Sequence, residues 1–336
     1  MNFMDNSITN IVDKFGREHD YLRISLTERC NLRCFYCMPE EGIQLREKSE
    51  FMTSEEVLAI AKTFVSMGIK KIRLTGGEPL IKKDAANMLK QLGKLPVELA
   101  ITTNAVLVDQ FIEVFKEAGI KSVNVSLDSL QEERFNMISR RNYFKRIMKN
   151  IELLIQNDFN VKINVVVMRN LNEHEIPDFI RWTQKQPVHV RFIEFMPFDG
   201  NKWNWDKKVS YKEIMNIAHE AFGESLVFKI KDSKNDTARS FRLADGKGTF
   251  GVISSVTNPF CDTCNRIRLT ADGKIKNCLF SQTETDLLST YRQKLDIKPL
   301  ITSSILEKKK QRGGAEEFND DFVKNMKNRS MVAIGG

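Results

Sequence analysis

Long apolar runs are missing from this chain. None approaches the roughly 20 residues that span a bilayer as a helix, so no membrane partner is expected. Mean hydropathy is −0.35 and 41% of residues are apolar, a balance that suits one large globular domain or two modest ones. The first 16 residues contain no apolar core of the secretory kind and are not rich in arginine. Neither a signal peptide nor an obvious mitochondrial presequence is expected from them. Histidine is scarce, with only His19, His174, His189 and His219. No dense basic-aromatic stripe stands out, so nucleic acid is not an expected partner. The 52 basic against 44 acidic residues leave a net charge of +8. Most of these charges belong to solvated helix faces, but the excess suits an anionic ligand such as a nucleotide.

Cysteine is also rare, and all of it falls into two trios. Cys30, Cys34 and Cys37 form C-x3-C-x2-C; Cys261, Cys264 and Cys278 form C-x2-C-x13-C. A disulfide framework suits short secreted chains and does not suit this one. Structural zinc normally takes four Cys or His ligands. No histidine lies between Cys261 and Cys278, so zinc there would need Asp262 or Asp272, and that reading stays open for the second trio. Three thiolates on a four-iron cubane leave one iron open to a small molecule. Two metal centres, each short of one protein ligand, are therefore expected. Thiolates holding iron belong in a reducing compartment, the cytoplasm or, for a mature eukaryotic form, the mitochondrial matrix.

From residue 21 to 197 short β-branched runs alternate with amphipathic stretches. The expected strands are Tyr21–Leu26, Lys71–Leu74, Val97–Ile101, Ser122–Ser126, Val161–Val167 and Val188–Phe195. The clearest helix is Glu55–Met67, opened by Thr53 or Ser54 and stopped by Gly68. Six such units imply a parallel sheet covered on both faces, an α/β fold of the partial (β/α)6 TIM-barrel type. Functional residues then gather at the carboxyl ends of strands. Those ends are polar or glycine-rich: Ser25–Thr27, Thr75-Gly-Gly-Glu-Pro79, Thr102-Thr-Asn104, Ser126-Leu-Asp128 and Glu194-Phe-Met-Pro197. The division expected is an N-terminal segment (1–20), a barrel core (21–197) and a C-terminal region (198–336). The last holds a helix over 210–222, a strand-like stretch over 240–256, a hairpin turn at Asp272-Gly273, and a polar stretch over 308–321.

C-x3-C-x2-C with Tyr36 before its third cysteine, after a first strand, resembles the signature of the radical S-adenosylmethionine (SAM) superfamily. Thr75-Gly-Gly-Glu-Pro79 resembles that superfamily's GGEP motif. Cys261-Asp-Thr-Cys-Asn-Arg266-Ile-Arg268, then Cys278 and the terminal Gly335-Gly336, resemble the GTP 3′,8-cyclase (molybdenum cofactor biosynthesis protein A) family, over nearly the whole chain. The resemblance implies two [4Fe-4S] clusters, the first binding SAM and the second GTP. It implies formation of (8S)-3′,8-cyclo-7,8-dihydroguanosine 5′-triphosphate, the first step of molybdenum cofactor biosynthesis. It implies SAM contacts at Tyr36, Gly76, Gly77, Glu78, Ser126 and Met196. GTP contacts are implied at Arg23, Arg73, Thr102, Lys162, Arg266 and Arg268, the last two also catalytic, and the glycine tail is implied to enter the active site. An external electron donor and a downstream enzyme forming cyclic pyranopterin are implied as partners. Oligomeric state is not fixed by the sequence; a homodimer is one option. Thr102-Thr-Asn-Ala105 departs from the family's T-T-N-G, so no positive φ is expected at 105. The competing reading is a radical SAM enzyme that modifies RNA or a peptide and carries an auxiliary cluster. From another class comes a non-catalytic iron–sulfur or zinc carrier, which would not need GGEP or a row of polar strand ends.

Overall fold

The structure is a computed structural model and describes residues 10–38, 46–315, 318, 323 and 328–335. Six strands, β1 (Tyr21–Ser25), β2 (Lys71–Thr75), β3 (Glu98–Thr103), β4 (Ser122–Ser126), β5 (Asn160–Val167) and β6 (His189–Glu194), lie side by side in chain order, each neighbour parallel. The connections carry α1 (Ser54–Ser66), α2 (Ala85–Leu92), α3 (Ile112–Glu117), α4 (Glu132–Ser139), α5 (Phe144–Gln156) and α6 (Ile176–Lys185). Local chemistry sets their ends. At α1, Thr53 accepts from the Glu56 amide while Glu56 returns a bond to the Thr53 amide, a reciprocal cap. Gly68 then turns the chain with φ +97°.

The C-terminal region follows α7 (Tyr211–Phe222) and supplies β7 (Val227–Lys229), β8 (Arg239–Leu243), β9 (Thr249–Ile253), β10 (Arg266–Leu269), β11 (Lys274–Lys276) and β12 (Thr285–Asp286), then α8 (Leu288–Arg292) and α9 (Lys298–Leu306). Its strands do not form a sheet of their own. β9 joins the outer edge of β6 in parallel, and β10 does the same at β1, giving the order β12-β11-β10-β1-β2-β3-β4-β5-β6-β9-β8-β7. The two ends of this sheet are not paired with each other, so the barrel stays incomplete. The expected single stretch over 240–256 resolves into two antiparallel strands, because Asp245-Gly-Lys-Gly248 reverses the chain.

Alternation along the strands sorts side chains into two populations. Leu22, Ile24, Ile72, Leu74, Val123, Val125, Val161, Ile163, Val190, Phe192, Ile267 and Leu269 face the helices in one continuous core. The other parity is polar and lines the lumen. A second apolar cluster, with Phe195, Phe198, Trp203, Phe280 and Ile334, takes in Phe35, Tyr36, Met196 and Cys278. It covers the carboxyl end of the barrel and ties the cysteine loops to the C-terminal tail.

Ala105 corrects one expectation: it adopts φ +62° and is fully buried. Its amide donates to Thr103 Oγ1 at 3.0 Å and its carbonyl accepts from Asn150 Nδ2 at 2.7 Å. These bonds hold a left-handed conformation that costs an alanine about 1–2 kcal/mol. Glycine at 105 relieves that strain but removes a buried methyl worth about 0.8 kcal/mol. Ala105→Gly is therefore expected to unfold at the same or slightly higher denaturant. Ala105→Val, whose branched Cβ cannot take this conformation, is expected to lower stability clearly in the same titration.

Candidate active site

The loop after β1 carries the first cysteine trio, and the glycines after β2 clamp it. Gly77 N donates to Thr27 O at 2.7 Å and Glu78 N to Arg29 O at 2.8 Å. A Cβ on Gly77 would stand 2.3 Å from Arg29 O, and one on Gly76 2.7 Å from Thr27 O. The close approach these glycines permit is thus to the cysteine loop. Glu78 turns its carboxylate to the end of β3, accepting from Thr103 Oγ1 (2.8 Å), Asn104 N (2.7 Å) and Leu80 N (3.1 Å). Burial pushes its pKa up to about 7 against those three bonds. Burial likewise raises Cys30 to about 11 and Cys37 to about 12, and Cys34 further, with the neighbouring thiols adding to the effect at Cys34 and Cys37. Among the described residues the donors to Cys30 Sγ are neutral, Leu32 N at 3.4 Å and Asn104 Nδ2 at 3.7 Å. Tyr36 donates to Asp128 Oδ2 at 2.6 Å, and Asp128 is held by Val166 N at 2.9 Å.

Inside the lumen the register aligns the cations. Arg23 pairs with Arg73 on one side and Arg268 on the other, and Arg266, two residues before Arg268, shares its face. Thr102, Asn124 and Lys162 form a row across β3, β4 and β5, with Asn164 and Arg191 beside it. Burial, with the neighbouring cations adding to it, brings Arg23 down to about 10, Arg191 to about 9 and Lys162 to about 8. Arg268 is lowered in the same way, by burial and by Arg23 and Arg266. Burial would raise Tyr21, but Arg73 and Arg23 outweigh it and bring it down to about 8. Among the described residues, Arg23 Nε, Ser25 Oγ, Thr102 Oγ1, Asn124 Oδ1, Asn164 Oδ1 and Arg191 Nε are buried without a hydrogen-bond partner. Buried polar atoms are normally satisfied, so this concentration marks a ligand-shaped gap for an anion.

The tail closes one side of this gap. Gly335 has φ +87°, and a Cβ there would meet Thr75 Oγ1 at 2.7 Å and the Ser25 side chain at 2.8 Å. Arg268 Nη1 donates to Gly335 O at 2.7 Å. Gly336 lies outside the described residues. Arg329, just before the tail, grips Asp272 through two bonds of 2.9 and 2.8 Å.

The second trio sits at the start of β10 and after β11. Among the described residues, no three His, Cys, Asp or Glu side chains converge on a single ion. Asp272 is taken by Arg329, Arg46 and Thr270 and is not available as a fourth zinc ligand, and Asp262 is exposed. Three thiolates are a donor set that fits a cluster with one open iron. Burial would raise Cys264, but Arg266 and Lys308 outweigh it and hold the thiol at about 6.

The structure aligns Arg23, Arg73, Thr102, Lys162, Arg266 and Arg268 in the lumen; the first trio follows the carboxyl end of β1, whereas the second stands at the amino end of β10, where Arg266 pairs with Tyr21. Of the SAM positions, Tyr36 and Met196 lie against the apolar cover, Ser126 ends β4, and Gly76, Gly77 and Glu78 act on the cysteine loop and β3. Sequence reasoning missed Tyr21, Asn124, Asn164 and Arg191. For Asn124, Asn164 and Arg191 the signal was strand parity, a polar residue between apolar neighbours as in Val190-Arg-Phe192; Tyr21, preceded by Asp20, carried no such signal.

Residues 24–183 match the family model described as the radical SAM superfamily, and residues 188–313 match Molybdenum Cofactor Synthesis C. Molybdenum cofactor biosynthesis protein 1 of Homo sapiens is 43% identical over 330 residues, 96% of this chain and 51% of that protein. The chain thus spans about half the length of that relative and of similar animal relatives. The mitochondrial GTP 3′,8-cyclase of Arabidopsis thaliana is 42% identical over 99% of this chain and 85% of its own length. The GTP 3′,8-cyclase of Listeria welshimeri is 38% identical over 96% of this chain and 98% of its own. The crystal structure of Streptococcus suis SuiB bound to S-adenosylmethionine superposes with a TM-score of 0.64 over 96% of this chain and 73% of that one, at 15% identity, a likeness of fold alone. The paired cysteine trios, the GGEP clamp and these whole-length relatives agree: the chain belongs to the GTP 3′,8-cyclase family of the radical SAM superfamily.

Proposed function

We propose that this chain converts GTP to (8S)-3′,8-cyclo-7,8-dihydroguanosine 5′-triphosphate. The observation that carries this reading is the cationic lumen with its six unpartnered polar atoms, opening between two cysteine trios. Cys30, Cys34 and Cys37 would hold one [4Fe-4S] cluster with SAM on its open iron, and Cys261, Cys264 and Cys278 a second that takes the guanine. Cluster and SAM together, given an electron by an external donor, would supply radical chemistry able to take the ribose 3′ hydrogen.

The chain's own residues position and protect the substrate. Arg23, Arg73, Lys162 and Arg191 match the charge of a triphosphate, and each bond to a phosphate oxygen becomes charge-assisted. Thr102, Asn124 and Asn164 supply neutral partners at the same depth. Arg266 and Arg268, on one face of β10, reach the substrate from the second trio's side, and Gly335 lets the tail pack against Thr75 and Ser25, where a Cβ would clash. Tyr36, Ser126 and Met196 stand where SAM would lie, while Gly76, Gly77 and Glu78 fix the loop that presents it. The apolar cover around Phe195, Phe280 and Ile334 keeps water from a reactive radical.

The barrel core (21–197) and the C-terminal region (198–336) would then each contribute one cluster to a shared site. Residues before 21 brace the second. The product would pass to an enzyme that forms cyclic pyranopterin. Among the described residues no helix is long and apolar enough to cross a membrane. A reducing compartment, cytoplasm or mitochondrial matrix, is the setting we assign, with a homodimer as one possible state. No observation favours an RNA or peptide substrate over a nucleotide.

Anaerobically reconstituted protein should contain about eight irons per chain. Incubated with SAM, dithionite and each of the four nucleoside triphosphates in turn, it should release 5′-deoxyadenosine with GTP alone. Release that ignores the nucleotide would defeat the reading.

A further inference from the structure

We propose that Lys308 is a positioning residue for the second cysteine trio: held in place by His19, its ammonium donates to Cys264 and favours the reduced state of the cluster bound there. The proposal rests on the two-cluster reading above and deepens it. Lys308 lies two residues past α9 and is only 2% exposed. Three acceptors surround its Nζ: His19 Nε2 at 2.8 Å, Arg266 O at 3.0 Å and Cys264 Sγ at 3.5 Å. A neutral amine has two N–H groups and an ammonium has three, so the geometry is that of the charged form.

His19 is oriented for this role. Its Nδ1 stands 2.8 Å from Arg17 O; a carbonyl can only accept, so Nδ1 carries the proton and Nε2 presents a lone pair to Lys308. Arg17 in turn donates to Cys261 O (2.7 Å), Lys310 O (2.8 Å) and Lys309 O (3.0 Å), and is paired with Asp13 at 2.6 Å. The segment before β1 is thus a brace that fixes both the cysteine loop and the Lys308 loop.

A buried cation normally requires an anion. Among the described residues no carboxylate lies within ion-pair distance of Lys308; Asp13, whose Oδ2 stands 3.8 Å from His19 Nε2, is paired with Arg17 at 2.6 Å. The remaining candidate is the Cys264 sulfur, which carries negative charge when it binds a metal. Positive charge and hydrogen bonds at a cluster's sulfurs stabilise the reduced state and raise its potential. At the first trio, among the described residues, the donors to Cys30 Sγ are the neutral Leu32 N and Asn104 Nδ2. On the two-cluster reading the ammonium at Cys264 would then set the second centre apart from the first.

The test is an anaerobic redox titration of the full, two-cluster protein, following each centre by electron paramagnetic resonance, with iron counted per chain. In Lys308→Met the second centre's potential should fall so that its reduction weakens at least tenfold, about 59 mV for one electron. The first centre should not move, and Lys308→Arg should restore the second. If Lys308→Met fails to retain the second cluster while Lys308→Arg retains it, the assignment also stands. About eight irons with an unmoved potential in Lys308→Met overturns it, as does loss of the cluster in both variants. About four irons in the unaltered protein would instead defeat the two-cluster reading itself.

Discussion

Gly77→Ala should empty the first cysteine trio while sparing the second. The added Cβ would lie 2.3 Å from Arg29 O, 2.7 Å from Arg29 C and 2.9 Å from Glu28 O. All three are backbone atoms, so no side-chain rotation can relieve the clash. Relief requires the cysteine loop to lift away, breaking the bonds from Gly77 N to Thr27 O and from Glu78 N to Arg29 O. Overpacking costs about 1–3 kcal/mol and each lost backbone bond about 1 kcal/mol. The loop keeps its bonds from Arg33 N to Ser139 O and from Phe35 N to Ile138 O, so the displacement concentrates at Thr27–Arg29, directly before Cys30. Iron should fall from about eight to about four per chain, and SAM cleavage should drop by at least about a thousandfold, since the open iron is what SAM needs. The thermal unfolding midpoint, dominated by the large core, should move much less. Normal iron loading in this variant would refute the clamp.

Arg191→Met should weaken GTP binding and yet stabilise the ligand-free protein. In the empty lumen Arg191 is buried, its Nε has no partner, and Arg73 and Arg23 repel it. Replacing it with an apolar chain of similar length removes both penalties. Once the triphosphate is present, the same guanidinium makes a charge-assisted bond worth about 1.5–3 kcal/mol. The Kd for GTP is therefore expected to rise about tenfold to hundredfold, while the nucleotide-free unfolding midpoint increases. The opposite signs set this apart from a simple packing defect, which would lower both. The lumen cations also give a pH signature. Lys162 is brought down to about 8 from its usual value near 10.5, so between those values the unfolded chain binds more protons than the folded one. Stability from this group accordingly rises with pH across that window. Saturating GTP, which favours the charged lysine, should flatten that rise.

Much of this site could be read from the chain because it depends on short-range spacing. The two trios, Thr75-Gly-Gly-Glu-Pro79 and the six strand runs are local patterns, and the runs match the observed strands closely; that the second trio stands at the amino end of β10, away from the first, follows only from the register. The partners of Lys308 could not be read in that way. His19 and Lys308 are 289 residues apart, and neither belongs to a motif. Arg191 was hidden for a different reason. In a strand covered on both faces the eye follows the apolar parity, and the polar parity is legible only once the sheet is known to curl around a lumen. Ala105 misled because residue type was taken to settle backbone conformation, whereas the Thr103 and Asn150 bonds do so here. The joining of β9 and β10 to the two edges of the barrel is likewise a tertiary fact, since neither strand's own sequence names its neighbour.

That joining has a consequence for how the protein is made. β1 leaves the ribosome first, but one of its two neighbours is β10; at this seam Asn265 bonds Asp20 across 245 residues. Until the last quarter of the chain exists, β1 presents a bare parallel edge, and non-local pairings of this kind close slowly. During that interval the nascent barrel is exposed to edge-to-edge association. Its yield in cells should therefore depend on chaperone capacity and on translation speed through the β9–β10 segment, even in variants whose finished fold is as stable as the parent.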